Sequence, residues 1–262
     1  MSRPRIPGYR IDRVRPDAGP GDCYDAVAVP DDGDGGGSAA VRVRVVTDLH
    51  PTIEFDRLIC DLKVGVRLGV ISHCGTTDGS LWVVYPHDGP NLADLMLGSS
   101  ATLAAHRDAA LDAGHMHELG AVHRAISPAA ITWDGATGRL ADLGRTRWAG
   151  GSGPTAGTAP VGAVSCTAPE VLTGGSATAA SDVWSLAASL HLCLSGSSAY
   201  GELPAGLVAA LRTAAGRRPR VHRGVPGPLR LLLSRELSTD PNRRSPNGTR
   251  LAELLDTQRT LS

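Results

Sequence analysis

The chain has 262 residues, 42% of them hydrophobic and 20% charged, and its 26 basic and 26 acidic residues give a formal net charge of zero. This length and hydrophobic content suit one domain, or two tightly packed lobes, with a sizeable core. The balanced charge argues against nucleic acid or an anionic membrane surface as the main partner. The five cysteines are scattered and never spaced as CxxC, which favours reduced thiols over a disulfide framework or a zinc site.

No stretch of the sequence approaches the ~20 consecutive apolar residues that a membrane helix needs. The N-terminal run MSRPRIPGYR has no apolar segment after its arginines, so it does not look like a secretory signal. We therefore expect a chain without a membrane segment that resides in the cytoplasm, either alone or as the cytoplasmic part of a larger membrane protein.

The first 85 residues are predicted to be mostly strands with one helix. Valine alternates with arginine over 41–45, which is the period of a half-buried strand. Apolar residues over 52–68 recur at helical spacing, and the short apolar run LWVVY over 81–85 indicates a buried strand.

From Asn91 onward the pattern changes to that of helices. We predict helices beginning at Leu92 and covering 103–119, 181–194, 229–237 and 251–255. Residues 150–162 are rich in Gly, Pro, Ala and Thr without periodicity, which predicts a loop. A small β-rich part followed by a larger helical part is an α+β arrangement.

Five short motifs occur in a fixed order along the second part of the chain. They are HRAISP (123–128), DLG (142–144), APE (168–170), SDVWS (181–185) and DPNRR (240–244). Each motif alone is weak evidence for a family, but the order and spacing of all five are hard to produce by chance. The series resembles the bacterial Ser/Thr protein-kinase family, in which HRDLKPxN, DFG, APE, SDVYSLG and DPxxRP occupy these positions.

The resemblance implies a two-lobed protein-kinase-like fold as a single domain over 1–262. Its N-lobe would span about 9–85, its hinge about 85–90 and its C-lobe about 91–256. The retained motif residues imply structural roles. His123 would stack in the spine that links the lobes, Asp182 would anchor the catalytic-loop backbone, and Glu170 would pair with Arg243.

The residues that perform phosphoryl transfer in the family are largely replaced. Ala125 stands in place of the catalytic aspartate, Ser127 in place of the catalytic-loop lysine, and Ala130 in place of a magnesium-binding asparagine. No catalytic residue is therefore assigned. Asp142 is retained and would ligate magnesium if a nucleotide binds.

The nucleotide-binding positions of the N-lobe are degenerate as well. The family's glycine-rich loop aligns with 16–23, where Gly21 matches the last glycine, and the phosphate-binding lysine becomes Arg44. The glutamate that pairs with this lysine aligns with Leu58, and Glu54 and Asp61 lie one turn away on either side. The resemblance thus leaves the acidic partner of Arg44 open.

Two further substitutions predict weak ATP binding. Side chains two apart on a strand share a face, so Arg42 would follow Arg44 into the family's adenine site, and Thr132 replaces an aliphatic residue on its other side. An unpaired buried charge opposes purine stacking. The predicted hinge still offers the carbonyl of Tyr85 and the N–H of His87.

These features indicate a pseudokinase that serves as a regulatory or scaffolding module for a protein partner. No cofactor is expected, although ATP with magnesium would bind weakly if at all. One alternative is an atypical active Ser/Thr kinase, and another is a kinase-fold enzyme of a different nucleotide-dependent transfer chemistry. In class and composition the chain is also similar to the pseudokinase domain of MviN-type proteins, which implies a phosphothreonine-reading partner domain.

The segment 145–167 corresponds to the family's activation segment and is expected to be a regulated docking element. Thr155, Thr158 and Thr167 are its candidate phosphorylation sites, and Arg124 matches the arginine that grips the phosphorylated segment. An unmodified surface loop is the alternative. A metal site among the histidines of 106–123 is disfavoured, because His115 and His117 point in different directions on a helix.

Overall fold

The computed structural model describes residues 4–15, 22–29, 40–47, 53–86, 89–149 and 163–259. The chain divides into two compact units, Met1–Asp88 and Gly89–Ser262. The boundary falls within the range proposed for the hinge. The predicted α+β class is confirmed: strands dominate the first unit and helices the second.

The first unit is built on a five-stranded antiparallel sheet and one helix. The strands are β1 (Tyr9–Arg15), β2 (Asp22–Ala28), β3 (Ala40–Val46), β4 (His73–Thr77) and β5 (Ser80–Pro86), in the order β1-β2-β3-β5-β4, and the helix is α1 (Ile53–Arg67). The strands predicted over 41–45 and 81–85 and the helix predicted over 52–68 are therefore confirmed.

Strand β3 is the centre of this sheet. Val43 is fully buried and pairs with Tyr24 of β2 on one side and with Val84 of β5 on the other. The valines of β3 join a cluster that also contains Ile11 and Ala26. Burial of these apolar side chains is the main stabilising term for the sheet.

In its described residues, the second unit combines six α-helices with two small two-stranded sheets. The helices are α2 (Ser99–Glu118), α3 (Pro169–Leu172), α4 (Ala179–Ser195), α5 (Leu207–Ala215), α6 (Gly227–Glu236) and α7 (Gly248–Arg259). The strand pairs are β6 (Ala121–Val122) with β9 (Arg147–Trp148), and β7 (Ile131–Trp133) with β8 (Gly138–Leu140). No helix in the described ranges is long and apolar enough to cross a membrane.

Helix α4 is the buried centre of the second unit. It packs against α2 and α6, and the indole of Trp184, which has no exposed surface, stacks on Tyr200 with ring centroids 5.2 Å apart. The helix begins after Thr178, whose N–H donates to the Ser181 hydroxyl, and ends at Gly196 with a φ of +66°, as expected of a left-handed glycine cap.

The helices of this unit differ from the prediction at two places. No helix begins at Leu92, because the Asn91 side chain accepts from the N–H of Ala93 and donates to Asp94, which closes a turn instead. Helix α5 was not predicted. It is only nine residues long, and its buried residues are the two small side chains of Ala210 and Ala214.

Candidate functional site

The loop that carries the HRAISP motif is held by a carboxylate from helix α4. Asp182 has no exposed surface. Its Oδ2 accepts from the N–H of His123 at 2.7 Å, and its Oδ1 accepts from the N–H of Arg124 at 2.9 Å. Both carboxylate oxygens therefore fix the backbone of this loop, the role that the resemblance gives to Asp182.

The charge on Asp182 is maintained by its hydrogen bonds. Burial alone would raise its pKa, but the hydrogen bond from His117 and that from the N–H of Arg124 lower the pKa below its ordinary value. Nδ1 of His117 accepts from the N–H of Gly248 at 3.1 Å, so Nε2 carries the proton and donates to Asp182 at 3.1 Å.

His123 links this loop to the residue that precedes Asp142. Its ring has no exposed surface, and its Nε2 donates to the carbonyl of Ala141 at 2.8 Å while its Nδ1 accepts from the N–H of Ala125 at 3.3 Å. The N–H of Ala141 in turn donates to the carbonyl of Ala130 at 2.9 Å. The HRAISP and DLG segments thus form one hydrogen-bonded assembly.

The three degenerate positions lie inside this ordered assembly. Ala125 and Ser127 are each 8% exposed and Ala130 is 2% exposed. A methyl group provides no oxygen for a hydroxyl proton or for a metal, and within the described ranges no group of three His, Cys, Asp or Glu side chains could hold a metal ion. Ala125 and Ala130 thus offer neither the carboxylate nor the amide oxygen that a protein kinase has at these positions.

Two retained residues adopt a left-handed backbone. Asp142 has a φ of +58° and Arg124 a φ of +73°, and such a conformation in a residue other than glycine costs about 1–3 kcal/mol. Among the other described non-glycine residues, only Asp78 in the turn between β4 and β5 has a positive φ. The assembly around Asp182 and His123 supports both conformations.

In the first unit, Arg44 is brought near an acidic residue of helix α1. Arg44 is 6% exposed and Asp61 is 2% exposed. Both act on Tyr85, whose pKa is raised to about 12 chiefly by burial and further by the charge of Asp61, with the nearby charge and hydrogen bond of Arg44 opposing. Asp61, one of the two carboxylates considered from the sequence, therefore lies close to Tyr85, as Arg44 does.

Several predicted site residues fall outside the described part of the chain. They are Gly21 of the glycine-rich loop, His87 of the hinge, and Thr155 and Thr158 of the activation segment.

The predicted pairing of Glu170 with Arg243 is wrong by one residue. Arg244 donates from Nη1 to Oε1 of Glu170 at 2.7 Å and from Nη2 to Oε2 at 2.8 Å, while Arg243 is exposed. The physical reason lies in the motif: DPxxRP places two residues between proline and arginine, so the inward-pointing arginine is Arg244. Burial alone would raise the pKa of Glu170, but the hydrogen bonds from Arg244 and Ser181 lower it.

Thr167, one of the candidate phosphorylation sites, lies inside the second unit rather than at its surface. Thr167 is 7% exposed, and its hydroxyl donates to the carbonyl of Ala163 at 3.1 Å. Its own carbonyl accepts from the hydroxyl of Tyr200 at 2.8 Å. A kinase cannot reach this hydroxyl without local opening. Sequence reasoning missed Tyr200, which carries no motif signal beyond being an aromatic residue after a helix.

Comparison with known proteins points to the same family as the motifs. The sequence is 30% identical over 223 residues to the serine/threonine-protein kinase PknK of Mycobacterium tuberculosis (strain CDC 1551 / Oshkosh), and equally to that of Mycobacterium bovis. The alignment covers 80% of this chain and 19% of each relative, so the chain spans about a fifth of the curated relatives it matches. No family model matches the sequence. The similarity supports a serine/threonine protein-kinase-like family for this chain.

Proposed function

We propose that this chain is a catalytically impaired protein-kinase-like domain that acts as a regulatory or scaffolding module, with weak or no ATP binding. The observation that carries the proposal is Ala125, which places a methyl group where the family orients the substrate hydroxyl. Phosphoryl transfer depends mainly on positioning and charge neutralisation, so the loss of this carboxylate removes a central group.

The loop around Ala125 keeps its hydrogen bonds. Asp182 still binds two backbone N–H groups, and His123 still bridges to Ala141. Because the scaffold around Ala125 is ordered, the absence of the carboxylate is not explained by a loop that has lost its shape. A protein that keeps the fold but not the reactive groups is suited to binding.

Weak nucleotide binding is inferred from the aligned adenine-binding positions. Thr132 is 7% exposed and its hydroxyl donates to the carbonyl of Arg139 at 3.4 Å, so a polar group stands where the family has an aliphatic one. Arg42, half-buried on β3, stands where the family has alanine. Asp142 is the remaining magnesium ligand in this proposal.

An atypical active Ser/Thr kinase is a second candidate, favoured by the closeness of Arg44 and Asp61 to Tyr85 and by the left-handed conformation of Asp142. A kinase-fold enzyme of another nucleotide-dependent transfer chemistry rests on the same observations. Both need Asp142 to bind magnesium with the nucleotide, whereas a scaffolding module does not.

The experiment incubates the protein with ATP and magnesium, measures ATP consumption, and searches by mass spectrometry for modified protein. The matched variant is Asp142→Asn. Equal background consumption by wild type and variant supports the scaffolding proposal. Consumption that depends on Asp142 overturns it, and the mass of the product then separates a phosphorylating enzyme from another transferase.

The partner of such a module would be a protein, and we propose a phosphothreonine-reading domain that recognises Thr155 or Thr158 after phosphorylation. The cytoplasm is the compartment in which a Ser/Thr kinase and ATP would reach these threonines. Incubation with active Ser/Thr kinases, followed by mass-spectrometric site mapping, tests this proposal. Phosphate on neither threonine, while a control substrate is modified, would rule it out.

A further inference from the structure

A cavity of about 1300 Å³ lies within the second unit. It is lined by the loop 196–203 that follows α4, by residues 216–223 that follow α5, and by Val164 and Ser165. None of the residues proposed to bind nucleotide lines this cavity. Its volume exceeds the roughly 300–1,000 Å³ of pockets that take one small molecule, so it has room for several side chains.

The walls of the cavity are tied together by hydrogen bonds. The N–H of Arg220 donates to the carbonyl of Ala199 at 2.8 Å, which joins the two loops. The guanidinium of Arg217 donates to the carbonyl of Glu202 at 2.7 Å and to that of Tyr200 at 3.1 Å. The cavity is therefore a structured concave surface within the second unit.

The lining is strongly basic in a chain whose net charge is zero. Four arginines line the cavity, Arg217, Arg218, Arg220 and Arg223, against the single carboxylate of Glu202 among its described lining residues. All five of these residues are exposed. The lining thus carries an excess of three positive charges.

Within the part of the chain that the structure describes, no carboxylate forms an ion pair with these arginines. None of the ion pairs found across the described ranges includes a lining arginine, and the partners of the Arg217 guanidinium are neutral carbonyls. Guanidinium groups bind carboxylates with paired, charge-assisted hydrogen bonds. A concave surface of one sign also raises the local concentration of ligands of opposite charge.

The lining of the same cavity also contains partly exposed apolar side chains. Val164, Leu203 and Val221 belong to the lining. A ligand that satisfies both features must carry several negative charges and at least one apolar group within a short length. An acidic peptide with an apolar residue has this composition, whereas inorganic anions lack the apolar part.

We propose that this cavity binds a short acidic peptide segment of a partner protein. Its Asp or Glu side chains pair with Arg218, Arg220 and Arg223, and one apolar side chain packs between Leu203 and Val221. The site adds to the proposed scaffolding function without depending on it, because a chain able to transfer phosphate would offer the same cavity.

The experiment measures fluorescence anisotropy of a fluorescein-labelled peptide of alternating Glu and Leu with the full chain. The test variant is Arg218→Gln with Arg220→Gln and Arg223→Gln. The control variant is Arg10→Gln with Arg243→Gln and Arg250→Gln, which removes the same charge from exposed arginines outside the cavity lining. Circular dichroism establishes that both variants fold.

We expect the test variant to bind the peptide about tenfold more weakly, and the control variant to bind it about as the wild type does. Raising the salt from about 50 to about 300 mM should weaken wild-type binding several-fold, because the exposed charges are screened.

Three outcomes overturn the proposal. They are equal losses in the test and control variants, equal binding of a peptide with Gln in place of Glu, and no binding of the acidic peptide. A phosphothreonine peptide is the third probe. If it binds through the same arginines while the acidic peptide does not, the ligand is a phosphopeptide and the proposal is wrong. None of these outcomes depends on ATP consumption. The proposal of a peptide site and the proposal of lost catalysis can therefore be refuted independently of each other.

Discussion

The guanidinium of Arg244 donates two hydrogen bonds, of 2.7 and 2.8 Å, to the carboxylate of Glu170, and it has no exposed surface. Oε1 of Glu170 also accepts from the hydroxyl of Ser181 at 2.7 Å. Arg244 additionally donates to the carbonyl of Ala180 at 3.0 Å. The pair therefore ties the APE segment to the start of helix α4 and to the DPNRR segment.

Replacing Arg244 by Ala should lower the free energy of unfolding by about 3–5 kcal/mol, because it leaves the Glu170 carboxylate half-buried without its counter-charge. The neighbouring change Arg243→Ala should stay within about 0.5 kcal/mol, since that side chain is exposed. Urea denaturation followed by circular dichroism measures both. Equal losses in the two variants would contradict the assignment of the pair to Arg244.

Asp182→Asn should destabilise the second unit by about 2–3 kcal/mol, because an amide group offers one acceptor oxygen to the N–H groups of His123 and Arg124. Hydrogen exchange of those two amides should become faster. The matched control is Asp112→Asn, where one oxygen accepts from the N–H of Leu140 and an amide oxygen can replace it. Unchanged exchange at His123 and Arg124 would show that Asp182 does not hold the loop.

The features predicted well from the sequence are those with a strong local period or a fixed motif position. Alternation over 41–45 predicts β3 because a half-buried strand must present every second side chain to the core. The role of Asp182 follows from its motif, and the hydrogen bonds agree. The spacing of DPxxRP also identifies Arg244, so the pairing of Glu170 with Arg243 was a misalignment of the motif by one residue and not a limit of the sequence.

Other features depend on contacts between distant parts of the chain. Thr167 follows a Gly- and Pro-rich stretch that predicts an exposed loop, yet Tyr200, from the loop after α4, binds its carbonyl. Likewise, helical spacing does not show that Asp61 is buried and acts on Tyr85 from helix α1. Tertiary packing determines such contacts between distant residues, and a local sequence pattern does not contain this information.

The unfolding free energy should fall as the pH is lowered from 6.5 towards 4. Burial lowers the pKa of His106 from 6.5 to about 4, and burial also lowers the pKa of His191. In this range the unfolded chain binds protons that the folded chain does not, so stability rises with pH and is fully present above 6.5. Each imidazole changes the free energy of unfolding by up to about 1.4 kcal/mol per pH unit.

The variant His106→Gln isolates one of these contributions. His106 donates from Nδ1 to the carbonyl of Thr102 and accepts at Nε2 from the hydroxyl of Ser189, and a glutamine amide can donate and accept in the same place. Denaturation at several pH values should show a flatter profile for this variant. His115→Gln on the same helix is the control. If the unfolding free energy of this variant depends on pH as steeply as that of the wild type, His106 does not cause the pH dependence.

The last prediction concerns nucleotide affinity. If Arg42 and Thr132 weaken ATP binding as proposed, calorimetric titration of the wild-type chain with ATP and magnesium should show no binding in the low-micromolar range. An arginine beside the adenine opposes purine stacking, because its charge would have to be desolvated, and the Thr132 hydroxyl adds a polar group where the family has an aliphatic one.

The double variant Arg42→Ala with Thr132→Leu should then bind ATP at least about tenfold more tightly than the wild type, which corresponds to about 1.4 kcal/mol. Arg139→Ala is the matched control, because Arg139 pairs with Thr132 across the β7–β8 hairpin but does not align with the adenine site. Tight binding by the wild type would refute the argument directly. If the double variant binds ATP no more tightly than the wild type, the weak affinity is instead caused by Arg44, Ala130 or the altered glycine-rich loop.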